Sequence, residues 1–238
     1  GREVLVLRDG QWSNQPAFIV GGGPSLRTFD WGLLKGLYNI IAINAAMFDC
    51  PWAGAFFTED LRFIDRFVGQ PEWKSFQGTK VFHALHESQL AQAVRLDPHL
   101  QVIERKREDK FWSRSLSEGL CWSSNSGIGA MNLATIMGSD PIYLLGFDCR
   151  KRAPGGNPNY HEHYPQDWRM PLGQEDNFRS DFENWAWHWM RDRRVVNLTS
   201  REEPSAITCW PRYDRDLVLQ TGIEDAQSLI AMPRVVPP

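Results

Sequence analysis

Cysteine pairs are missing from this chain: Cys50, Cys121, Cys149 and Cys209 are scattered along 238 residues, with no CxxC motif. That spacing argues against a zinc knuckle or a disulfide framework and fits a reducing compartment. No apolar run approaches the roughly 18 residues that a membrane span needs, and no charged-then-apolar leader opens the sequence. The expectation is therefore a soluble, cytoplasmic protein. Charge of one sign is not in excess either, since 26 Lys and Arg face 29 Asp and Glu for a formal net charge of -3. Binding of duplex DNA through a global basic field is disfavoured, although a local basic groove remains open. Internal repeats and low-complexity tracts are absent as well. What is present is ordinary for a globular protein, with 42% hydrophobic and 23% charged residues. The length suits one large α/β domain, or one domain with an insertion.

Short apolar runs alternate with helical spacing along most of the chain. Residues 3–7 read as a strand ending at the turn Asp9-Gly10, and Ala17 to Val20 as a buried strand stopped by three glycines. Pro24-Ser25-Leu26 offers a helix start, with Leu33, Leu34 and Leu37 as its apolar positions. Further strands are expected at 39–44, 55–58, 80–83, 101–103, 141–146 and 195–198. Helices are expected around 61–68, 86–96, 128–137 (closing at Gly138) and 177–192. The charged, Ser-rich stretch 104–120 suits a mobile loop or part of a lid. Residues 149–176, rich in Gly, Pro, Asn and His, suit an excursion over a site. The pattern predicts a Rossmann-like three-layer α/β/α sandwich with a mainly parallel sheet, a single domain over 1–222, and a loosely attached tail at 223–238.

Gly21-Gly22-Gly23-Pro24-Ser25-Leu26 is the sharpest local signal. Glycines let backbone N–H groups approach a phosphate, a following helix offers its positive end, and Ser25 could add a hydroxyl donor. The loop is neither a P-loop, lacking Gly-Lys-Ser/Thr, nor the dinucleotide fingerprint, lacking the third glycine of that pattern. Asn44, Asp60 and Asp148 each follow a strand, and ligands in open α/β sheets bind along that carboxyl edge. Ser124-Asn125-Ser126-Gly127 precedes a helix whose first turn would carry free N–H groups, as an N-cap, a second wall of the same pocket, or both. In His161-Glu162-His163-Tyr164 two imidazoles flank a carboxylate. With no third His at suitable spacing, a dedicated metal site is not expected, and general-base or phosphate-contacting work suits one of the pair better. Trp185, Trp187 and Trp189 would spread around a helix and suit core packing or a subunit contact, so a homo-oligomer is open.

The order of these motifs resembles two related groups. One is the bacterial sialyltransferase family that uses CMP-activated sialic acid. The other is the set of uncharacterised proteins grouped with the archaeal-type 6-hydroxymethylpterin diphosphokinase. The likeness runs over roughly 17–60 and 121–210, through Gly-x-Gly-Pro-Ser-Leu, Asn44, the Ser-x-Ser-Gly helix start and Ile-Tyr-Leu-Leu-Gly-Phe-Asp. It implies a nucleotide bound across Gly21 to Leu26, Asn44 and Ser124 to Gly127. It also implies metal-independent displacement at the sugar's anomeric carbon, with His161 or His163 as base and Tyr160 and Tyr164 near the leaving phosphate. The chain departs from the sialyltransferases at Gly22, where they have Asn. Their base lies immediately before the last helix, where this chain reads Asp176-Asn177.

The leading expectation is thus a glycosyltransferase that takes a nucleotide-sugar donor, needs no cofactor, and acts on a hydroxyl acceptor of unassigned class. One alternative is a pterin-type pyrophosphokinase using ATP and Mg²⁺, with Asp60, Asp148 and Glu162 as metal carboxylates. Another is a non-enzymatic nucleotide-binding module on the same fold.

Overall fold

The computed structural model describes residues 6–105, 111–121, 124–151, 156–168, 171–202 and 204–221. The strand expected at 3–7 lies largely outside them, as do Ser123 and the tail from 223. Leu7 is buried, and the Gln101 side chain clasps it by accepting its N–H (2.8 Å) and donating to its carbonyl (3.1 Å).

Eight short strands form one sheet: β1 (Ala17–Val20), β2 (Ile40–Ile43), β3 (Ala55–Thr58), β4 (Thr79–Ala84), β5 (Gln101–Glu104), β6 (Ile142–Leu145), β7 (Val195–Thr199) and β8 (Arg212–Asp214). Their order is β5-β4-β3-β2-β1-β6-β7-β8, and every pairing is parallel. Alternate residues of a strand point to opposite faces. In β1, Phe18 and Val20 enter one core, together with Ile40, Phe56, Phe82 and Leu145, while Ala17 and Ile19 enter the other, with Ile41, Phe57, Val81 and Leu144. A sheet buried on both faces explains why its strands read as continuous apolar runs.

The helices α1 (Ala46–Asp49), α2 (Leu61–Phe67), α3 (Pro71–Ser75) and α4 (Glu87–Leu96) connect the strands from β2 to β5. Phe63, Ile64 and Trp73 of α2 and α3, with Ala93 of α4, supply the first core. Helix α5 (Ser126–Ile136) is buried from Ile128 to Ala134 in the second, and Gly138 follows with φ of +82° as its expected stop. The last long helix starts at Gln174, three residues before its expected start, and runs as α6 (Gln174–Ser180), a π turn (Asp181–Ala186) and α7 (Trp187–Met190). Helix α8 (Arg215–Thr221) follows β8; both escape the sequence reading.

Two expectations are corrected. No α-helix follows Pro24: the chain makes 3₁₀ turns at Pro24–Thr28 and Trp31–Leu34 instead. Asp30 accepts the Gly32 N–H and caps the second turn, which holds the two turns apart. The stretch 104–120 is not a lid where it is described. The Asn132 amide of α5 accepts from Cys121 N–H (2.9 Å) and donates to the Ser113 carbonyl (2.9 Å), fixing 111–121 against that helix.

Strand β1 is where the winding reverses. The chain runs outward from it through β2 to β5, then returns to its other side as β6. Loops leaving adjacent strands in opposite directions open a crevice at their carboxyl ends, where ligands bind in sheets of this kind.

Candidate functional site

A cavity of about 530 Å³ occupies that crevice. Its wall brings together Gly21 to Pro24 after β1, Asn44 after β2, Asp60 after β3, Ser124 to Gly127 at the head of α5, Asp148 after β6, and Tyr164 from the excursion. Ser25, Tyr160, His161 and His163 are not on the wall.

The glycine loop does something other than what its composition suggests. Gly21 N–H donates to the Leu145 carbonyl (2.8 Å) and Gly23 N–H to the Gly146 carbonyl (2.9 Å). Asp148, 4% exposed, accepts from both the Ser25 N–H (2.7 Å) and the Ser25 hydroxyl (2.6 Å). Ser25 therefore ties the β1 loop to the β6 loop from beneath, and its hydroxyl is spent there. A Cβ at Gly23 would lie 2.4 Å from Asp148 Oδ2 and 2.5 Å from the Gly146 carbonyl oxygen, so this glycine is set by close packing. Gly22 N–H is the loop amide with no protein acceptor among the described residues, and its carbonyl accepts from Tyr160 N–H (3.0 Å).

Facing the loop across the cavity is the head of α5. The Asn125 side chain accepts the Ile128 N–H (3.2 Å) as N-cap. An 11-residue helix with a buried body directs its partial positive charge and first-turn N–H groups at the cavity.

Asn44 sits in the left-handed region at φ of +52°, with its N–H on the Phe57 carbonyl (3.1 Å). Tyr164 lies beside Asn44 and Ala45, and Asn44 lines the cavity with it. Burial pushes the Tyr164 phenol well above its ordinary range, and the Asp60 charge adds to this. Asp60 is the N-cap of α2, accepting from Arg62 N–H (3.0 Å), and forms an ion pair with the Arg62 guanidinium (2.9 Å). The guanidinium carbon lies 5.3 Å from the centre of the Trp168 ring.

The excursion covers the cavity and is anchored from outside it. Arg27 donates to the carbonyls of Asn157 (2.9 Å) and Asn159 (3.3 Å), and the Tyr160 hydroxyl donates to Asp49 (2.7 Å). His161 is buried, and its Nδ1 accepts the His163 N–H (3.3 Å). Burial first, then the neighbouring His163, pull its pKa down to about 4. The His163 ring packs 4.7 Å from that of Phe48. The His163 ring thus packs the excursion against α1, while His161 packs among Tyr160, His163 and Tyr164 within it. Glu162 bonds to Asn157 (2.8 Å) and is not on the wall. Asp60, Asp148 and Glu162, the carboxylates named for a magnesium site, are accordingly not gathered. Among the described residues no group of three or more His, Cys, Asp or Glu side chains could hold a metal ion.

The sequence reading missed Glu59, Arg62, Arg150, Trp168 and Glu175, all on the wall. Glu59 adjoins Asp60 at a strand end, which was a usable signal. Glu175, 5% exposed, stands in the first turn of α6 and was hidden by placing that helix too late. Trp168 had no signal, being one aromatic residue in an irregular stretch.

The fold is that of solved glycosyltransferases. The MAf glycosyltransferase of Magnetospirillum magneticum AMB-1 superposes with a TM-score of 0.60 over 97% of this chain at 15% identity. This chain spans 38% of the length of that protein. The sialyltransferase CST-II, solved with a trisaccharide acceptor and CMP, gives a TM-score of 0.50 at 13% identity, covering 78% of this chain and 81% of that one. No family model and no curated protein matches the sequence. No helix among the described residues is long and apolar enough to cross a membrane.

Proposed function

We propose that the chain transfers a sugar from a nucleotide-activated donor to a hydroxyl acceptor. The observation that carries this reading is the crevice at the β1/β6 reversal, where Gly22 N–H and the head of α5 line one cavity. Phosphate oxygens suit such a pair of N–H sources, and the dipole of α5 favours their charge. The likeness to glycosyltransferases supports the same reading at the level of the fold.

Roles follow from placement. Tyr164, kept protonated by burial, donates a hydrogen bond to the departing phosphate. Arg62 and Arg150, both on the wall, supply positive charge to the leaving group. Glu175, a buried carboxylate on the wall, takes the proton of the acceptor hydroxyl in place of His161 or His163. The new bond joins the acceptor oxygen to the anomeric carbon, the bond from that carbon to phosphate breaks, and the nucleotide departs. None of these steps calls on a metal ion or a cofactor.

The test is a thermal-shift and turnover screen of nucleotides and nucleotide sugars, with and without Mg²⁺. Stabilisation by CMP, CDP or UDP in the absence of metal is expected. Stabilisation by ATP only with Mg²⁺ would favour a phosphotransferase instead. Glu175→Gln should retain nucleotide binding and lose turnover by about a hundredfold or more, while His163→Ala should keep both. The reverse pattern would return the base to the histidine pair.

A further inference from the structure

Glu59 directly follows β3 and faces the cavity beside Ile43, Asn44 and Leu85, yet its side chain is only 7% exposed. Its Oε1 lies 2.9 Å from Nδ1 of His83, whose side chain is fully buried near the carboxyl end of β4. The other ring nitrogen, Nε2, is buried with no hydrogen-bond partner among the described residues. A bare nitrogen lone pair tolerates an apolar setting better than an unsatisfied N–H does, so the proton is assigned to Nδ1. Nδ1–H then donates to Glu59 and aims the carboxylate.

Helix α5 makes room for this carboxylate. A Cβ on Gly129 would lie 2.4 Å from Glu59 Oε1 and 2.8 Å from the Phe57 ring. A glycine inside a helix is destabilising relative to alanine. Here that cost lets a charged group settle against the helix within the cavity wall. Burying a carboxylate is unfavourable unless its oxygens are hydrogen-bonded. His83 holds Oε1, and the carboxylate borders the cavity, where a ligand's hydroxyl donors can reach it.

We propose that Glu59 is a specificity-determining residue that accepts hydrogen bonds from two neighbouring hydroxyls of the ligand, with His83 as its positioning residue. The assignment rests on the nucleotide-sugar reading above. Gly129 lies about one helical turn, roughly 5 Å, into α5 from the first-turn N–H groups. A phosphate at the helix head thus places a 5′-linked ribose diol at Glu59. The ring diol of the transferred sugar offers the same chemistry.

Calorimetric titration separates these sources. The probes are CMP, UMP and UDP-glucose, with the 2′,3′-dideoxy counterparts of the two monophosphates, and UDP as the sugar-free control. Wild type should bind a ribonucleotide about tenfold or more tightly than its dideoxy form, as expected for charge-assisted hydrogen bonds. Glu59→Gln should reduce that preference to within about twofold while binding the dideoxy probe like wild type, which also shows that the variant is folded. His83→Phe should weaken the preference with the same unchanged dideoxy affinity. If wild type ignores the ribose hydroxyls but prefers UDP-glucose to UDP, and Glu59→Gln loses that preference, the diol belongs to the sugar. Wild-type preferences retained in Glu59→Gln overturn the assignment alone. Failure of wild type to bind any probe overturns both it and the nucleotide reading.

Discussion

His161 shows how a residue suited to chemistry can be committed to structure. Its type and its position in a His-Glu-His-Tyr segment suit a general base, but burial in the excursion pulls its pKa down to about 4 from the ordinary 6.5 of an imidazole. Between those values the unfolded chain binds a proton that the folded chain does not, so stability rises with pH across that interval. The contribution is complete above about pH 6.5, falls as the solution is acidified, and levels off below about pH 4. The loss amounts to up to about 3 kcal/mol. Urea unfolding at pH 7 and pH 4.5 should therefore show a fall in stability that His161→Gln makes shallower. An unchanged pH profile in that variant would show that the imidazole is not held neutral by the fold.

At the scale of elements, the loop after β1 contains glycines for two different reasons. Gly23 is pressed against Asp148 and Gly146, whereas a Cβ at Gly22 would meet only the Asn159 side chain, at 3.1 Å. Gly23→Ala should therefore force the β1 and β6 loops apart and cost roughly 2 kcal/mol or more, read as a lower denaturation midpoint. Gly22→Ala should change stability by less than about 1 kcal/mol, since only the half-buried Asn159 side chain must move. Its effect should appear instead as weaker nucleotide affinity, because an added Cβ on the cavity wall hinders a phosphate's approach to the Gly22 N–H. Equal destabilisation by the two changes would contradict this division.

The same loop marks how far local pattern reaches. Strands β1 to β4 and β6 were legible because a sheet covered on both faces requires continuous apolar runs, which few other local structures produce. The fate of the loop's N–H groups was not legible. Three glycines look like a phosphate cradle, but whether an amide is free depends on β6, which pairs with β1 from more than a hundred residues away. The 3₁₀ turns after Pro24 were hidden for a related reason. Leucine spacing fits a helix, while the caps and glycines that interrupt it act locally and outweigh that periodicity.

For the whole molecule, the informative long-range link joins the two ends of the described chain. Arg215, 2% exposed at the start of α8, donates to the carbonyl of Ser25 and to the Thr28 hydroxyl (3.4 Å). Its guanidinium carbon lies 5.2 Å from the centre of the Phe29 ring, and Nε pairs with Asp216 (3.3 Å). Asp148 holds Ser25 by its N–H and hydroxyl, and Arg215 holds it by its carbonyl, so the turn behind the cavity is fixed from β6 and from α8 together. No periodicity could announce this clasp, since β8 and α8 are short and one arginine in a polar stretch carries no pattern. Replacing it with methionine keeps much of the side chain's volume but removes every donor. The buried Ser25 carbonyl would then lose a charge-assisted partner, at a cost of roughly 2–4 kcal/mol. Arg215→Met should lower the urea midpoint as one cooperative transition, coincident by tryptophan fluorescence and circular dichroism. Nucleotide affinity should fall with it, because the turn that positions Gly22 loses its support. Separate transitions by the two probes would mean that α8 comes away before the sheet opens. An unshifted midpoint would show that the clasp contributes nothing.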